Sequence, residues 1–449
     1  MSAEKDLQMA SQIAELVRDT GGRTYFVGGC VRDSVLRRES KDIDLEIHGI
    51  APEVLDEILR TLGEPLIMGS SFGIMGLRHY DLDIAMPQKH GRDGRDFYDA
   101  ADPFAGTENA ARRRDLTMNA LMQDVLTGEI VDHFGGLADL AKGIIRHVDD
   151  VTFAQDPLRV IRAAQFAARF QFDVAQETVQ LARKLDLSGI SRERIWGELE
   201  KVLMKSEKPS VFFRVLREMD QLDTWFPEVK QLIGVEQNPK FHPEGDVWNH
   251  TMLVLDLAAQ LRNRAEHPLK FMVAALCHDF GKITATTNTD GRIRSIGHEL
   301  EGIGLAETFL RRLTNEAGVI RYVLNMVKLH MRPNQMAEQR SSSKSMCRLL
   351  DSSVAPKDLI LLAKADHCSR PNASAYEKTE QYLYDHLKLY RERMAQPCVM
   401  GADLIQAGFR PGREFKDALD YAHKLRLAGV PKENALRQTI AFLNKEQEK

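Results

Sequence analysis

The pattern of apolar residues changes near residue 155, and this change limits the fold more than any other feature of the chain. Before it, an apolar run at 24–27 and an alternating segment at 42–47 predict short strands between helices. After it, apolar residues recur every three to four positions almost to the C-terminus, which is the spacing of amphipathic helices. The sequence therefore predicts an α/β N-terminal domain followed by an all-α remainder.

Domain boundaries follow from this outline. A chain of 449 residues predicts roughly two to four domains. Within the first of them, the alternation at 42–47 predicts a half-exposed strand, and the Asp-, Gly- and Arg-rich segment 88–109 predicts a long loop. The predicted parts are an α/β head at 1–140, a helical neck at 141–205, a helical body at 206–395 and a helical tail at 396–449.

Composition excludes several classes of protein. Apolar residues make up 43% of the chain and charged residues 28%, and no apolar run approaches the roughly 20 residues that span a bilayer. The first residues carry charge where a signal peptide needs an apolar stretch, so we expect a cytoplasmic protein with no membrane partner. The net charge of −4 neither supports nor excludes a nucleic-acid partner, since a local basic patch would suffice.

The cysteines fit a reducing compartment. The chain has five of them, scattered and never spaced as Cys-x-x-Cys, which argues against a disulfide framework or a zinc ribbon. They are Cys30, Cys277, Cys347, Cys368 and Cys398.

Paired carboxylates in the head predict a metal site. Asp42 and Asp44 are two positions apart on a predicted strand, so both side chains project from one face. Asp83, on another predicted strand, is a candidate third carboxylate. Such carboxylates hold Mg²⁺ together with substrate phosphates, and a pair of metal ions can activate a hydroxyl and stabilise a leaving pyrophosphate. For an isolated Asp-x-Asp, solvated aspartates on a surface strand are the alternative interpretation.

A glycine turn lies upstream of these aspartates. Gly28 and Gly29 precede a predicted helix, and backbone N–H groups at such a turn can bind a triphosphate, with Arg32 pairing with phosphate oxygens. A tight turn explains two glycines equally well.

Five segments, in order along the chain, resemble the signature motifs of class II tRNA nucleotidyltransferases and bacterial poly(A) polymerases. The first is Gly-Gly-Cys-Val-Arg-Asp at 28–33 with Asp-Ile-Asp at 42–44, and the second is Arg-Arg-Arg-Asp-Leu-Thr-Met-Asn-Ala-Leu at 112–121. The others are Asp-His-Phe-Gly-Gly-Leu at 132–137 with Asp139 and Leu140, Gln-Asp-Pro-Leu-Arg at 155–159 with Arg162, and Ser-Arg-Glu-Arg-Ile-Trp-Gly-Glu-Leu at 191–199.

The resemblance implies a polymerase β-like nucleotidyltransferase head, with Asp42 and Asp44 as the catalytic, Mg²⁺-binding pair. It implies that the second motif is a strand contacting nucleotide sugar and phosphates, and that the fourth, in the neck, selects the base. The implied nucleotide-binding residues are Gly29, Arg32, Arg114, Asp156, Arg159 and Arg162.

The fourth motif has a physical interpretation of its own. Asp156 and Arg159 are three positions apart, which would place them on one helical face. A carboxylate and a guanidinium together can mimic a Watson–Crick edge that accepts cytosine or adenine. An exposed ion pair is the usual alternative for this spacing.

The sequence departs from the family pattern at two places. Gln155 stands where glutamate is usual, and an amide hydrogen-bonds an arginine less strongly than a carboxylate does. The flexible loop that many CCA-adding enzymes need to change from C to A begins here with Pro-Gln-Lys-His at 87–90 instead of Pro-Arg-x-Glu.

Histidines and aspartates in the helical body predict a second metal site. His278 and Asp279 end an apolar helix, where an unpaired charge would be costly. Their order with other such residues resembles the HD phosphohydrolase superfamily, which implies an HD domain at about 246–370 that binds a divalent transition metal or Mg²⁺ and activates water. The implied ligands are His250, His278, Asp279 and Asp366, with His298 and His330 as candidate outer ligands. For any single histidine, a hydrogen-bonded core or surface group is the alternative.

The leading hypothesis is an enzyme that adds C and A nucleotides to tRNA 3′ ends from CTP and ATP, with a metal-dependent 2′,3′-cyclic phosphodiesterase or phosphatase activity in the HD domain. Its alternatives within the family are an A-adding enzyme, a CC-adding enzyme and a poly(A) polymerase. Alternatives of other classes are a phosphohydrolase whose head only binds nucleotide, and a non-catalytic RNA-binding protein. The hydrolase substrate and the oligomeric state are left open by the sequence.

Overall fold

The computed structural model describes residues 2–38, 43–68, 74–93, 96–371, 373 and 375–447. The predicted catalytic residue Asp42 lies outside these ranges. The chain divides into two compact units, Met1–Ile190 with Val211–Gln221, and Ser191–Ser210 with Leu222–Lys449.

The first unit contains both helices and strands. The helices of residues 2–190 are α1 (Ser2–Asp19), α2 (Gly29–Val35), α3 (Pro52–Leu62), α4 (Thr107–Arg112), α5 (Gly136–Lys142), α6 (Asp150–Gln155), α7 (Leu158–Phe170) and α8 (Gln176–Ala182). The strands are β1 (Arg23–Val27), β2 (Ile43–His48), β3 (Pro65–Met68), β4 (Ile74–Leu77), β5 (Leu82–Ala85), β6 (Gln88–Asp93), β7 (Asp96–Ala101), β8 (Met122–Asp124), β9 (Ile130–Val131), β10 (Ile144–Ile145) and β11 (Asp173–Val174).

A mixed sheet organises the head. Among the described residues it has seven strands in the order β3-β4-β5-β2-β1-β8-β9. β2 and β5 are parallel, whereas the other neighbours are antiparallel. The parallel register pairs Asp44 with Asp83.

One face of this sheet forms the core of the head. Apolar residues of α1 and α3 pack against Leu45 and Ile47 of β2 and against Leu82 and Ile84 of β5. Because successive side chains of a strand point to opposite faces, the residues between them project from the other face. The core therefore fixes which side of the sheet carries the aspartates.

Two local expectations for the head strands are wrong. β2 is buried along most of its length instead of half-exposed, because Glu46 and His48 on its polar face bind each other at 2.9 Å. The segment 88–109 is no loop: β6 and β7 form an antiparallel hairpin, and α4 begins at Thr107. Backbone pairing needs no apolar side chains, so a polar hairpin lacks the alternation by which strands are recognised.

The second motif is not a strand. Arg112 ends α4, and a 3₁₀ turn follows at Thr117–Asn119. Between them, Leu116 forms an isolated β-bridge with His147.

The second unit is mainly helical. The helices from residue 191 onward are α9 (Arg192–Lys205), α10 (Ser210–Glu218, most of which belongs to the first unit), α11 (Pro227–Gln231), α12 (Val247–Leu261), α13 (Pro268–Cys277), α14 (Lys282–Ala285), α15 (His298–Leu313), α16 (Ala317–Leu329), α17 (Arg332–Glu338), α18 (Ser343–Ser352), α19 (Pro356–Cys368), α20 (Glu377–Ala395), α21 (Gly401–Gln406), α22 (Glu414–Leu427) and α23 (Lys432–Gln447). A hairpin of β12 (Thr286–Thr289) and β13 (Arg292–Ser295) follows α14.

Helix α13 lies at the centre of this unit. Its residues from Phe271 to Cys277 are all buried, and it packs against α9, α12, α16 and α19. A helix that is apolar on all sides is stable only when it is surrounded in this way. The helices α21, α22 and α23 have a separate small core around Leu404, Ala418 and Leu443.

Across the described parts of the chain, no helix combines the length and the apolar character that crossing a membrane requires.

Candidate active sites

The head site is built on the β2–β5 pair. Asp44 is partly buried and Asp83 is exposed, and they lie side by side in the parallel register. The turn before α2 lies next to them: a Cβ placed on Gly28 would lie 3.6 Å from Asp44 Oδ2 and 3.7 Å from Arg114 Nη1. Gly28 has φ 65°, a conformation that glycine adopts without strain. The turn, two carboxylates and a guanidinium are thus brought together.

Glu46 is a site residue that the sequence interpretation missed. Its Oε2 accepts a hydrogen bond from Arg114 Nη2 at 2.7 Å, and its Oε1 lies 2.9 Å from His48 Nε2. Burial alone would raise the pKa of Glu46, but the charges of Arg114 and His48 hold that pKa below its usual value. The signal was its place two residues after Asp44, on the same strand face.

Arg32 is buried beneath the glycine turn. Its Nε donates to Asp33 at 2.8 Å and its Nη1 donates to Asn119 at 2.7 Å. Its guanidinium lies 4.9 Å from the Phe170 ring centre, and burial lowers the pKa of Arg32. Its Nη2 lies 3.6 Å from a Cβ placed on Gly29. Arg32 supports the turn from within, and its expected contact with phosphate stays a prediction.

Asp115 connects the motifs. Its Oδ2 accepts from Arg162 Nε at 2.7 Å, and its Oδ1 accepts from Asn119 Nδ2 at 3.0 Å. Burial alone would raise the pKa of Asp115, but Arg162 and Asn119 lower it, so the group stays a carboxylate. Since Asn119 also accepts from Arg32, one network joins the first, second and fourth motifs.

The base-selection candidates adopt a different geometry from the expected one. Asp156 does not share a helix with Arg159: it caps the C-terminus of α6 in an extended conformation, and α7 begins at Leu158. The Arg159 guanidinium donates to the carbonyls of Thr152 at 2.8 Å and Arg113 at 2.6 Å. Burial lowers the pKa of Arg159, while Asp156 is close enough to act against that shift. The two side chains are therefore neighbours across the break between α6 and α7.

The second unit gathers its candidate ligands around Asp279. The Oδ2 of Asp279 lies 3.3 Å from His278 Nε2 and 3.6 Å from His250 Nε2. Its Oδ1 lies 3.3 Å from His298 Nε2 and 3.7 Å from His330 Nε2. All five residues are buried. The helices α12, α13, α15 and α16 or the residues at their ends supply them.

Asp366, on α19, completes the cluster. Its Oδ1 lies 3.1 Å from His250 Nε2, and Arg370 Nη2 donates to the same oxygen at 2.9 Å. Burial alone would raise the pKa values of Asp366 and Asp279. Hydrogen bonding from His250 for Asp366, and the charge of Lys282 for Asp279, hold both pKa values well below the usual range.

The imidazoles are oriented as metal ligands are. The Nδ1 atoms of His278, His298 and His330 lie within hydrogen-bond distance of backbone carbonyls, at 2.9, 2.7 and 2.7 Å, and that of His250 lies 2.9 Å from Glu244. A proton on Nδ1 leaves the Nε2 lone pair directed at the centre, which is the usual arrangement in metal sites. Nε2 of His278 is buried and has no hydrogen-bond partner. The donor set therefore fits a divalent metal ion.

Four further residues around this cluster were not predicted. Lys282 Nζ lies 2.7 Å from Asp279 Oδ2, and Arg370 pairs with Asp366. Glu244 accepts from both His250 and His242, and although burial acts in the opposite direction these bonds lower the pKa of Glu244 to about 2. Burial and the charge of Lys282 lower the pKa of His242 to about 4.

Family models match three parts of the chain. Residues 24–146 match the Poly A polymerase head domain, and residues 247–370 match the HD domain. Residues 171–233 match a model described as "Probable RNA and SrmB- binding site of polymerase A". These matches confirm the predicted fold class of an α/β head followed by helical parts with an HD domain.

Curated relatives and solved structures agree with these models. A Multifunctional CCA protein from Actinobacillus pleuropneumoniae serotype 5b is 34% identical over 420 residues, which cover 90% of this chain and 98% of that protein. One from Cupriavidus metallidurans is 40% identical over 306 residues, 65% of this chain and 70% of that protein. A CCA-adding enzyme in complex with ATP has the same fold, with a TM-score of 0.68 and 19% identity over 98% of this chain and 94% of that chain. The Thermotoga maritima CCA-adding enzyme complexed with tRNA CCA aligns with a TM-score of 0.64 and 21% identity over 98% of this chain and 96% of that one. The chain thus belongs to the multifunctional CCA protein family and is a nucleotidyltransferase that also carries an HD domain.

Proposed function

We propose that the head adds C and A nucleotides to the 3′ end of tRNA from CTP and ATP without a nucleic-acid template. The observation that carries this proposal is the pairing of Asp44 with Asp83 beside the Gly28 turn and Arg114. Carboxylate oxygens are the donors that Mg²⁺ prefers, so the residues fit that ion. Asp42, two positions before Asp44, would join them as a ligand.

The reaction asks little covalent chemistry of the protein. The 3′-hydroxyl oxygen of the tRNA bonds to the α-phosphorus, the bond to the bridging oxygen of the β-phosphate breaks, and pyrophosphate leaves. Bound Mg²⁺ would activate the hydroxyl and stabilise the pyrophosphate. The turn at Gly28 and Gly29 and the Arg114 guanidinium would bind the triphosphate and sugar.

Base selection is assigned to Asp156 and Arg159, with Arg162 held in place by Asp115. The bonds of Arg159 to the Thr152 and Arg113 carbonyls limit its orientation. A fixed guanidinium beside a carboxylate can recognise the edge of cytosine or adenine and reject uracil.

Incorporation assays on defined tRNAs test the activity. Purified protein is given tRNA lacking CCA, tRNA ending in C and tRNA ending in CC, each with single and mixed labelled nucleoside triphosphates. We expect completion to CCA from all three. Growth only from CC indicates an A-adding enzyme, arrest at CC a CC-adding enzyme, and continued A addition a poly(A) polymerase. Absence of incorporation from every tRNA contradicts the proposal.

A second activity is proposed for the HD domain: metal-dependent hydrolysis of phosphomonoesters or 2′,3′-cyclic phosphates. It is supported by the converging Nε2 atoms of His250, His278, His298 and His330 around Asp279. A divalent transition metal or Mg²⁺ bound there would activate water. Assays with Mg²⁺, Mn²⁺, Co²⁺ and Ni²⁺ test it, and inactivity with all four contradicts it. A cytoplasmic location stays a prediction from the sequence.

A further inference from the structure

A cavity of about 260 Å³ lies against the His/Asp cluster of the second unit. One wall is formed by the cluster itself, through Asp279, His298 and Asp366. The opposite wall is formed by residues 237–242, before α12, and by β13. The candidate metal ligands thus form only one side of the cavity, and the other residues face whatever binds there.

Buried hydrogen-bond donors lie in this cavity without an acceptor. Gln237 is 7% exposed, and its Oε1 accepts from Lys282 Nζ at 2.8 Å. That bond fixes the orientation of the amide, so Nε2 is the free end, and it has no hydrogen-bond partner. The Nε of Arg370 is also buried without a partner. Buried donors are nearly always satisfied, so two open ones in one cavity indicate a ligand that supplies acceptors.

The charges of the cavity specify the sign of that ligand. Lys282 and Arg370 line it, each paired with one carboxylate of the cluster, and Arg294 of β13 adds a third cation. Cationic and amide donors around a candidate metal site are complementary to the oxygens of a phosphoryl group. A neutral or cationic ligand would leave these donors unsatisfied.

An exposed aromatic ring lies on the same wall. Phe241 is 54% exposed and lines the cavity together with Ile293. A turn presents it: Lys240 donates its N–H to Asn238 Oδ1 at 3.0 Å, and His242 donates its N–H to the Asn238 carbonyl at 2.9 Å. An exposed ring on a hydrogen-bonded turn is a suitable platform on which a nucleobase can stack.

We propose that this cavity is a nucleotide-binding subsite, in which Gln237 and Arg370 bind phosphoryl or ribose oxygens and Phe241 stacks on the base. The inference rests on the proposed hydrolase activity and deepens it. It makes the substrate a nucleoside phosphoester, free or at an RNA end, instead of any small phosphomonoester. Gln237 and Phe241 are thereby specificity-determining residues.

Binding to the metal-free protein tests the subsite apart from catalysis. EDTA-treated full-length protein is titrated calorimetrically with guanosine 3′-monophosphate, a nucleotide that the head is proposed to reject, and with inorganic phosphate. We expect Phe241→Ala to weaken guanosine 3′-monophosphate binding by about tenfold or more and to leave phosphate binding unchanged. Gln237→Met should weaken binding of both, with an unchanged melting temperature. Phe104→Ala, which removes another exposed ring (71% exposed), is the control and should have no effect. Equal binding by Phe241→Ala and the parent overturns the proposal, as does a parent that binds phosphate but no nucleotide.

Kinetics separate this proposal from the hydrolase proposal. With a supporting metal, the parent should hydrolyse guanosine 2′,3′-cyclic phosphate with a lower KM than glycerol 2-phosphate, and Phe241→Ala should raise only the nucleotide KM. An RNA oligonucleotide ending in a 2′,3′-cyclic phosphate distinguishes an RNA end from a free nucleotide as the source. If the parent hydrolyses nothing but still binds the nucleotide through Phe241, the hydrolase proposal fails and the subsite stands. If it hydrolyses both esters with equal KM and Phe241→Ala changes neither, the subsite fails and the hydrolase stands.

Discussion

Arg114 Nη2 donates to Glu46 Oε2 at 2.7 Å and so connects β2 to the segment after α4, 68 residues later in the chain. Glu46 lies on the strand face that carries Asp44. The bond holds the arginine beside the Gly28 turn, where its Nη1 lies 3.7 Å from a Cβ placed on that glycine. Glu46 is therefore a positioning residue for a candidate nucleotide-binding side chain.

Replacing Glu46 should weaken nucleotide binding more than the chemical step. In Glu46→Gln the side chain keeps its shape but loses the charge that orients Arg114. Since a hydrogen bond to a charged group contributes about 1.5–3 kcal/mol, we expect the KM for CTP to rise by about tenfold and kcat to change less. Glu64→Gln is the control, because the ion pair of Glu64 with Arg78 is exposed. Equal KM values for the two variants would show that Glu46 is only structural.

The metal assignment predicts loss of nucleotide incorporation on neutralising either paired aspartate. Asp44→Asn and Asp83→Asn keep side-chain size but remove a charged oxygen ligand, so incorporation of CTP should fall below detection for Asp44→Asn and severely for Asp83→Asn. Asp81→Asn, a change at an exposed neighbour of β5, should leave activity intact. The measurement is labelled-CTP incorporation together with a melting curve. Near-normal incorporation by Asp44→Asn with unchanged melting would refute the assignment.

The base-selection assignment predicts relaxed specificity. Asp156→Ala should admit UTP or GTP, with a loss of roughly 1–3 kcal/mol of discrimination. Arg159→Ala should relax selection too, but it should also lower the melting temperature, because its guanidinium binds the Thr152 and Arg113 carbonyls. Competition assays with mixed nucleoside triphosphates measure the ratio. If both variants discriminate as the parent does, base selection lies elsewhere.

The two metal sites should be separable. The double variant His278→Ala, Asp279→Ala removes the central carboxylate of the cluster and one of its imidazoles. We expect lower metal content by elemental analysis and no phosphohydrolase activity, with CTP and ATP incorporation retained. A variant that loses stability but binds as much metal as the parent would indicate a purely structural His-Asp pair.

A glycine next to the cluster should control its geometry. A Cβ at Gly281 would lie 1.9 Å from the His298 carbonyl oxygen and 2.5 Å from Gly302 N, so Gly281→Ala must displace the start of α15 and with it His298. We expect a lower melting temperature and weaker metal binding. In Gly304→Ala, on the same helix, the new Cβ meets no atom within 4 Å, and the variant should be stabilised by about 1 kcal/mol. Equal melting and metal content in the two variants would contradict this view of the contact.

Some differences between the sequence prediction and the structure have local causes. Asp156 and Arg159 were expected on one helix, yet Pro157 separates them. The residue before a proline is disfavoured in the helical conformation, and Asp156 has φ −127° and ψ 96°. That signal was present in the sequence. The polar hairpin of β6 and β7 carried no comparable signal, since its pairing depends on backbone bonds alone.

The sequence by itself determined the α/β head, the helical remainder, the order of the motifs and the residue types that can bind metal. Those features follow from local periodicity and from the chemistry of single side chains, both of which are legible along the chain. Tertiary structure alone decided that Asp44 lies beside Asp83 and that Glu46 holds Arg114. It also decided that four imidazoles direct Nε2 toward Asp279. These relationships join residues far apart in sequence, and they arise because burial of the apolar faces of strands and helices fixes register and orientation only when the elements pack together.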